Sequence, residues 1–470
     1  MSRQAFEKIF SSLAVGLLAL ALTGCTVRSK YTKPEMPVPE TWRVPVETGS
    51  SLANLTWWEV FQDPELQELI RAALERNTNL QIAAANVIEA SAQVGIARSQ
   101  QLPQIQASGS IQRKRISSEG SFSYARGTGS QFNDFLFSGN VFYLVDFWGQ
   151  YRQATEESRR LLLATEEAQR NVMITVVSGV AQAYFQLRTL DEQLEITRRT
   201  VSSFEDSLQL TRDLYRFGVS TELDVRQAET ALFSVRANVP ALQQQIQQRE
   251  NTLSFLLGRN PSAIPRGRKL MEQPLPSSVP AGLPSELLVR RPDIMQAGNQ
   301  LAASYAAVDV ARAQLFPQFQ LTASGGTESA QLTQLATIPS LTFNLLAGLT
   351  APIFEGGRLR SNLRLTKAQR QAALVNYQGV VLQAFREVDD ALIAYQKNRE
   401  QAAEEEKLVG AASAALDLAN DRYSGGVATY LEVLDSERQL YSAQFSLAQT
   451  RGSILISLVQ LYQALGGGWQ

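Results

Sequence analysis

The chain contains no histidine and only one cysteine in 470 residues. Without histidine there is no Ser-His-Asp or Cys-His chemistry and no His-ligated metal site. One cysteine cannot make an intrachain disulfide or a Cys cluster for zinc or iron–sulfur. Neither charge sign predominates: 44 Lys+Arg oppose 45 Asp+Glu, a net charge of −1. That balance argues against a general nucleic-acid binder. After the leader, no stretch reaches the roughly 20 apolar residues of a membrane-spanning helix. Nucleotide-binding G-x-x-x-x-G-K-[ST] and hydrolase G-x-S-x-G motifs are also missing, so neither catalysis nor a bound metal or cofactor is expected. Hydrophobic residues make up 44% and charged residues 19%, too apolar for disorder.

What is present begins with an export signal. Arg3 and Lys8 open a basic segment, and an apolar run follows from Leu13 to Leu22. The run is too short for a bilayer and fits a secretory leader. Directly after it, Leu22-Thr23-Gly24-Cys25 resembles a bacterial lipobox, implying cleavage after residue 24 and a diacylglycerol and acyl chain on Cys25. Thr26 in the next position, rather than Asp, favours sorting to the outer membrane.

The remainder repeats itself, as a search for internal periodicity shows. Ala97-Arg98 and Leu102-Pro103-Gln104 recur 214 residues later as Ala311-Arg312 and Phe316-Pro317-Gln318. Tyr215, Gly218-Val219, Thr221, Leu223, Val225 and Glu229 recur 208 residues later as Tyr423, Gly426-Val427, Thr429, Leu431, Val433 and Glu437. The first copy therefore carries about six extra residues, assigned to the Ser/Gly-rich stretch Ser117–Ser130. Expected boundaries are a leader at 1–24, a lipid anchor with extended tether at 25–56, and a first repeat at 57–258. A Pro-rich linker at 259–284, a second repeat at 285–466 and a tail at 467–470 complete the chain.

Within each repeat, short helices lead to a proline that starts extended chain. Residues then alternate with the strand period of two, giving hairpins at about 103–148 and 317–354. Phe135, Phe137, Val141, Tyr143, Val145 and Phe147 share one face of the first hairpin; Ser138, Asn140 and Asp146 lie opposite. In the second, Phe343, Leu345, Ala347, Leu349, Ala351 and Ile353 oppose Thr342, Asn344, Gly348 and Thr350. Long helices follow, at about 149–257 and 357–465, and nothing breaks the first rise of roughly 100 Å. Heptad stripes run through Leu187, Leu190, Leu194, Val201, Phe204 and Leu208, then through Val225, Ala228, Leu232, Val235, Val239, Leu242 and Ile246, as in coiled coils. Pro240 should kink this stripe or mark a change of packing.

Only helices and closed barrels cross a bilayer, and a single-chain barrel starts at about eight strands. Four strands per chain are too few. If the hairpins enter a membrane, several chains share one barrel: eight strands from two chains, or twelve from three.

In its order of elements the chain resembles the TolC superfamily of outer-membrane factors. The lipobox, Trp57-Trp58-Glu59 with Phe61 and Asp63-Pro64, and the tips at 215–219 and 423–427 are similar to its lipoprotein branch, the OprM/NodT type. The resemblance implies an α+β membrane protein: a homotrimer with a 12-stranded β-barrel in the outer membrane of a Gram-negative-type bacterium and a periplasmic α-helical barrel. It implies the exit duct of a tripartite efflux system, passively conducting drugs or other small solutes. A periplasmic adaptor, an inner-membrane RND transporter and outer-membrane lipids would be its partners. Tips Phe217-Gly218-Val219 and Gly425-Gly426-Val427 would dock the adaptor. Asp417, Asp421 and Arg422 would form the periplasmic gate, where threefold symmetry makes each carboxylate a ring of three; the family's gate acid aligns with Asn420 instead in an alternative register. Two other readings remain: a type I protein-secretion duct, and a lipid-anchored coiled-coil scaffold or adaptor. The chain departs from the branch pattern at Val145-Asp146-Phe147-Trp148-Gly149-Gln150, read as local variation where the strand exits.

Overall fold

The computed structural model describes residues 29, 31–44, 51–115, 131–276 and 279–467. The leader, Cys25 and the inserted stretch Ser117–Ser130 lie outside the described residues. In chain order the principal elements are α1 (Pro64–Arg76), α2 (Thr78–Ser99), β1 (Gln104–Arg115), β2 (Gln131–Val145), α3 (Gln150–Arg216) and α4 (Glu222–Leu256). They continue with α5 (Pro292–Ala313), β3 (Gln318–Ser329), β4 (Leu341–Thr350), α6 (Arg358–Ser424) and α7 (Tyr430–Ala464).

The duplication extends to element lengths. Helices α2 and α5 both have 22 residues, α3 and α6 both have 67, and α4 and α7 both have 35. The reason is visible at their ends. Each 67-residue helix stops at a glycine with positive φ, Gly218 at 73° and Gly426 at 71°. The Val219 N–H then bonds Leu214 O at 2.8 Å, and the Val427 N–H bonds Arg422 O at 3.0 Å. This is the Schellman closure, which satisfies the last helical carbonyls. Thr221 next caps α4 and exchanges hydrogen bonds with Asp224 in a capping box. At the far end of the 35-residue helices the repeats use different residues for one task. Asn77 Nδ2 donates to Leu256 O at 2.7 Å, and Arg291, the equivalent residue, donates from Nη1 to Ala464 O at 2.8 Å.

The chain divides into two compact units. One, formed from 1–34, 87–164 and 297–377, holds the sheet. Its strands lie in the order β1-β2-β3-β4, all antiparallel. Strand β2 ends at Val145, short of Phe147. Phe147 and Trp148 instead join Phe316 and Phe319 in an aromatic cluster, with Trp148 stacked on Phe316 at 4.7 Å. Asp146 accepts hydrogen bonds from the N–H groups of Tyr151 at 3.2 Å and Arg152 at 2.8 Å, so the divergent segment caps the start of α3.

The other unit comprises 35–86, 165–296 and 378–470. From Ile174 to Thr197, α3 is buried on most sides, including Val177, Val180, Tyr184 and Leu187. A single heptad stripe understates this enclosure. Part of the extra cover comes from the proline-rich linker, where the Gly267 N–H donates to Tyr184 Oη at 2.9 Å and Arg188 Nε donates to Arg268 O at 3.0 Å; both proline-rich segments are packed straps as well as connectors. Trp42 is buried and donates Nε1–H to Gly282 O at 2.9 Å, and Ile264 and Leu270 are also buried. Helix α4 runs through Pro240 without a break, and Pro240 itself is exposed.

Candidate functional site

Residues paired across an antiparallel sheet point to the same face. The register aligns Ile105, Val141, Ala323 and Leu345 in one row, and Gly109, Phe137 and Thr327 in another. All odd-numbered positions therefore share one face, whose large side chains include Ile105, Ile111, Phe135, Phe137, Val141, Tyr143, Phe319, Leu321, Leu341, Phe343, Leu345 and Leu349. Even-numbered positions form the opposite face, with Gln104, Gln106, Ser108, Ser138, Asn140, Gln320, Thr322, Ser324, Thr342 and Asn344. Phe132, Leu136, Phe142, Leu144 and Leu346 break its polarity. Asn140 Nδ2 donates to Ser108 Oγ at 3.0 Å, so the polar face carries its own hydrogen bonds. On the apolar face Phe343 is 91% exposed. Among the described residues the outer edges of β1 and β4 have no strand partner. This face is apolar over the half of the sheet nearest the helices and turns polar only towards the far ends of β1, β2 and β3, at Arg113, Arg115, Gln131, Asn133, Thr327 and Ser329. A sheet with so large an apolar area and two open edges is incomplete in water, because unpaired strand edges and large apolar patches invite association.

The helix tips are equally bare. Phe217, Val219 and Val427 are exposed, Phe217 by 83%. Behind them lies a core of Phe204, Leu208, Val225, Leu232, Tyr430, Val433 and Leu434. Asp417 and Asp421 stand one turn apart on an exposed stretch of α6, and Asn420 is exposed too. Among the described residues neither aspartate makes an ion pair. Arg422 Nε lies 3.4 Å from Glu432 Oε2 on α7. One chain thus does not gather these three residues into a closed site.

Sequence reasoning missed Glu437. It matches Glu229 in the repeat, yet only Glu229 has cationic partners. Glu229 is half-buried and pairs with Arg212 at 2.8 Å and Arg226 at 2.9 Å, and these hydrogen bonds hold its carboxyl below the usual range. Glu437 is buried; its Oε1 accepts from Ser203 and Ser207, each at 3.0 Å, and Oε2 has no hydrogen-bond partner among the described residues. Burial raises its pKa, and the two serine hydroxyls offset part of that. A carboxyl with a raised folded-state pKa loses relative stability as pH rises through that value. Glu437→Gln should therefore raise the thermal midpoint at pH 7.5 and leave it close to wild type at pH 4. Equal shifts at both pH values would show that ionisation is not the cause.

Solved structures share this architecture. The outer-membrane channel OprN aligns with a TM-score of 0.88 at 29% identity, covering 95% of this chain and 100% of that one. The open-state MtrE outer-membrane channel of Neisseria gonorrhoeae aligns at 0.86 and 30%, covering 95% and 99%. The fold is that of a TolC-like outer-membrane channel. A sequence profile described as "Outer membrane efflux protein" matches residues 69–259 and 283–467, one segment in each repeat. The chain belongs to that family, which places it in the outer membrane as an efflux duct. Among its relatives, the solvent efflux pump outer membrane protein SrpC of Pseudomonas putida is 37% identical, covering 98% of each chain. The cation efflux system protein CusC of Escherichia coli O6:H1 is 34% identical, covering 96% of this chain and 98% of its own.

Proposed function

We propose that three copies of this chain close a 12-stranded barrel and form the exit duct of a tripartite RND-type efflux system. The observation that carries this reading is the two-faced sheet with open edges. Its apolar face suits lipid, its polar face suits a water-filled lumen, and edge β4 of one copy can pair with β1 of the next. Cys25 would carry the lipid anchor. The tips at Phe217–Val219 and Gly425–Val427 would meet a periplasmic adaptor, and an inner-membrane transporter would supply the energy. Nothing in the duct itself catalyses a reaction. Relatives named for solvent and for cation efflux fit a permissive conduit whose small-solute cargo is selected by the pump.

At the periplasmic end, threefold symmetry would turn Asp417 and Asp421 into rings of carboxylates near the Arg422–Glu432 contact. Such a ring attracts cations and restricts the passage. Asp421→Ala should raise single-channel conductance and weaken cation preference in planar bilayers. A wild-type protein that stays silent in bilayers across repeated preparations would overturn the channel reading. Unchanged conductance in Asp421→Ala, with an active wild type, would remove Asp421 from the gate.

A further inference from the structure

The ends of the strands nearest the helices are marked by the aromatic cluster of Phe147, Trp148, Phe316 and Phe319, with Trp148 Nε1 donating to Pro317 O at 2.7 Å. Aromatic rings with a polar handle favour the boundary between lipid and water. Cations begin immediately beyond it. A cleft of about 300 Å³ is lined by Arg98, Gln101, Arg152, Thr155, Glu156 and Arg159. Arg152 is committed to Asp146 at 3.2 Å, and Glu156 to Arg160 at 2.9 Å. Arg98 and Arg159 are exposed and make no ion pair among the described residues. The cleft therefore carries an uncompensated positive charge.

The second repeat preserves part of this charge. At its two offsets, Arg98, Arg152 and Arg159 correspond to Arg312, Arg360 and Lys367; Arg312 is spent on Asp309 at 3.1 Å, whereas Arg360 and Lys367 make no ion pair among the described residues. Helix α6 opens with Arg358, Arg360, Arg364, Lys367 and Arg370, and no carboxylate follows until Glu387. Arg360, Arg364 and Lys367 are exposed. Arg358 pairs with Glu355 just before the helix, but Arg360 also falls in the first turn, where a cation opposes the helix dipole, and Arg364 and Lys367 extend the positive stretch. An external anion would offset it.

The side on which these cations stand is also fixed. Gln153 and Glu156 line both this cleft and a neighbouring one that holds Ser29 and Tyr31. Ser29 is clamped there: its backbone N–H and its Oγ donate to the buried Asp309 carboxylate at 2.6 Å each, and Arg312 Nη1 donates to Ser29 Oγ at 3.1 Å. Ser29 lies only four residues after Cys25. The cationic cleft thus shares a side with the chain end that leads to the anchoring cysteine.

We infer that Arg98 and Arg159, with Arg360 and Lys367 of the second repeat, form a binding collar for the phosphate headgroups of anionic phospholipids in the leaflet facing the helices. This rests on the reading that the sheet crosses the membrane. Guanidinium groups suit it, because their planar forks take phosphate oxygens in pairs. The collar would hold the barrel at a fixed depth and seal its rim against lipid.

The test uses the full-length protein in neutral detergent micelles. Binding of dioleoylphosphatidylglycerol is measured by native mass spectrometry, with dioleoylphosphatidylcholine and inorganic phosphate as the other probes. Phosphatidylglycerol should bind more tightly than either. A basic group at an anionic surface contributes roughly fivefold in affinity, so Arg98→Gln/Arg159→Gln should weaken phosphatidylglycerol binding by at least about tenfold. Arg360→Gln/Lys367→Gln should do the same. Unchanged phosphatidylglycerol binding in both variants overturns the inference, and so does displacement of the lipid by equimolar inorganic phosphate. Planar-bilayer conductance of the wild type separates the two levels: a conducting protein with unaltered variants refutes the collar alone, whereas a silent one refutes the membrane reading.

Discussion

Asp63→Ala should lower the thermal midpoint sharply and deplete the protein from outer membranes. Asp63 sits just before Pro64 and caps α1, its Oδ1 accepting the Glu65 N–H at 3.1 Å. Such a cap alone contributes about 1 kcal/mol. This carboxylate does more, because it is buried and tied to two distant segments. Its Oδ2 accepts from Tyr184 Oη at 2.8 Å, from the Arg268 backbone N–H at 3.0 Å and from Gln273 Nε2 at 2.7 Å. The Tyr184 hydroxyl in turn accepts the Gly267 N–H at 2.9 Å. Alanine would leave those donors buried without an acceptor. Each such loss costs about 1–3 kcal/mol, and a combined destabilisation of roughly 4 kcal/mol is expected. Gly267 is held to glycine for the same reason, since a Cβ there would overlap Asp63 Oδ1. Gln62→Ala, at the exposed neighbouring position, should stay within about 0.5 kcal/mol of wild type. Thermal melts of the three proteins in detergent check this. Coincident midpoints for Asp63→Ala and Gln62→Ala would mean that the knot does not hold the unit together.

Much of this architecture could be read from the residues, and the reason is local. Proline stops, glycine ends and period-two alternation each act within a few neighbours, so 103, 218, 317 and 426 announce their turns. The repeat then supplied a second copy against which each signal could be checked. Long-range choices were not legible. Asp63-Pro64 has the form of a helix cap, but nothing nearby says that the same oxygen receives Arg268 and Gln273, 205 and 210 residues away. Asn77 and Arg291 look unrelated, although both close the end of a 35-residue helix. Glu229 and Glu437 look equivalent, although one is held by two arginines and the other is buried against two serines. The duplicated sequence specifies a shared backbone, and the divergent side chains then specialise each copy. The packing of the straps is hidden for a similar reason: their prolines exclude helix without saying whether Trp42, Ile264 or Leu270 finds a surface to cover. Of the expected site residues, the tips are exposed glycine turns, and Asp417 and Asp421 are exposed on α6 without an ion pair among the described residues.

Leu345→Arg should block insertion while Asn344→Arg is tolerated. The two residues are adjacent in β4, have the same backbone environment and point to opposite faces. Leu345 shares its row with Ala323, Val141 and Ile105; Asn344 shares one with Ser324, Asn140 and Gln106. An arginine facing lipid near mid-strand costs about 2–4 kcal/mol per copy, and falls towards zero at the interfaces. If three copies share one barrel, the penalty is incurred three times, on the order of 6–12 kcal/mol in all. That is comparable to the stability of a whole domain, so little assembled Leu345→Arg should reach the outer membrane. An arginine at 344 would enter the aqueous lumen instead, where its charge lowers cation conductance without opposing insertion. Outer-membrane fractionation and heat-modifiable gel migration report the first effect, and planar-bilayer recording reports the second. Equal insertion of both variants would mean that the odd-numbered face does not meet lipid. Failure of both would instead make the strand intolerant of any added bulk. The decisive result is the contrast between neighbours, because only a two-sided barrel wall distinguishes positions 344 and 345.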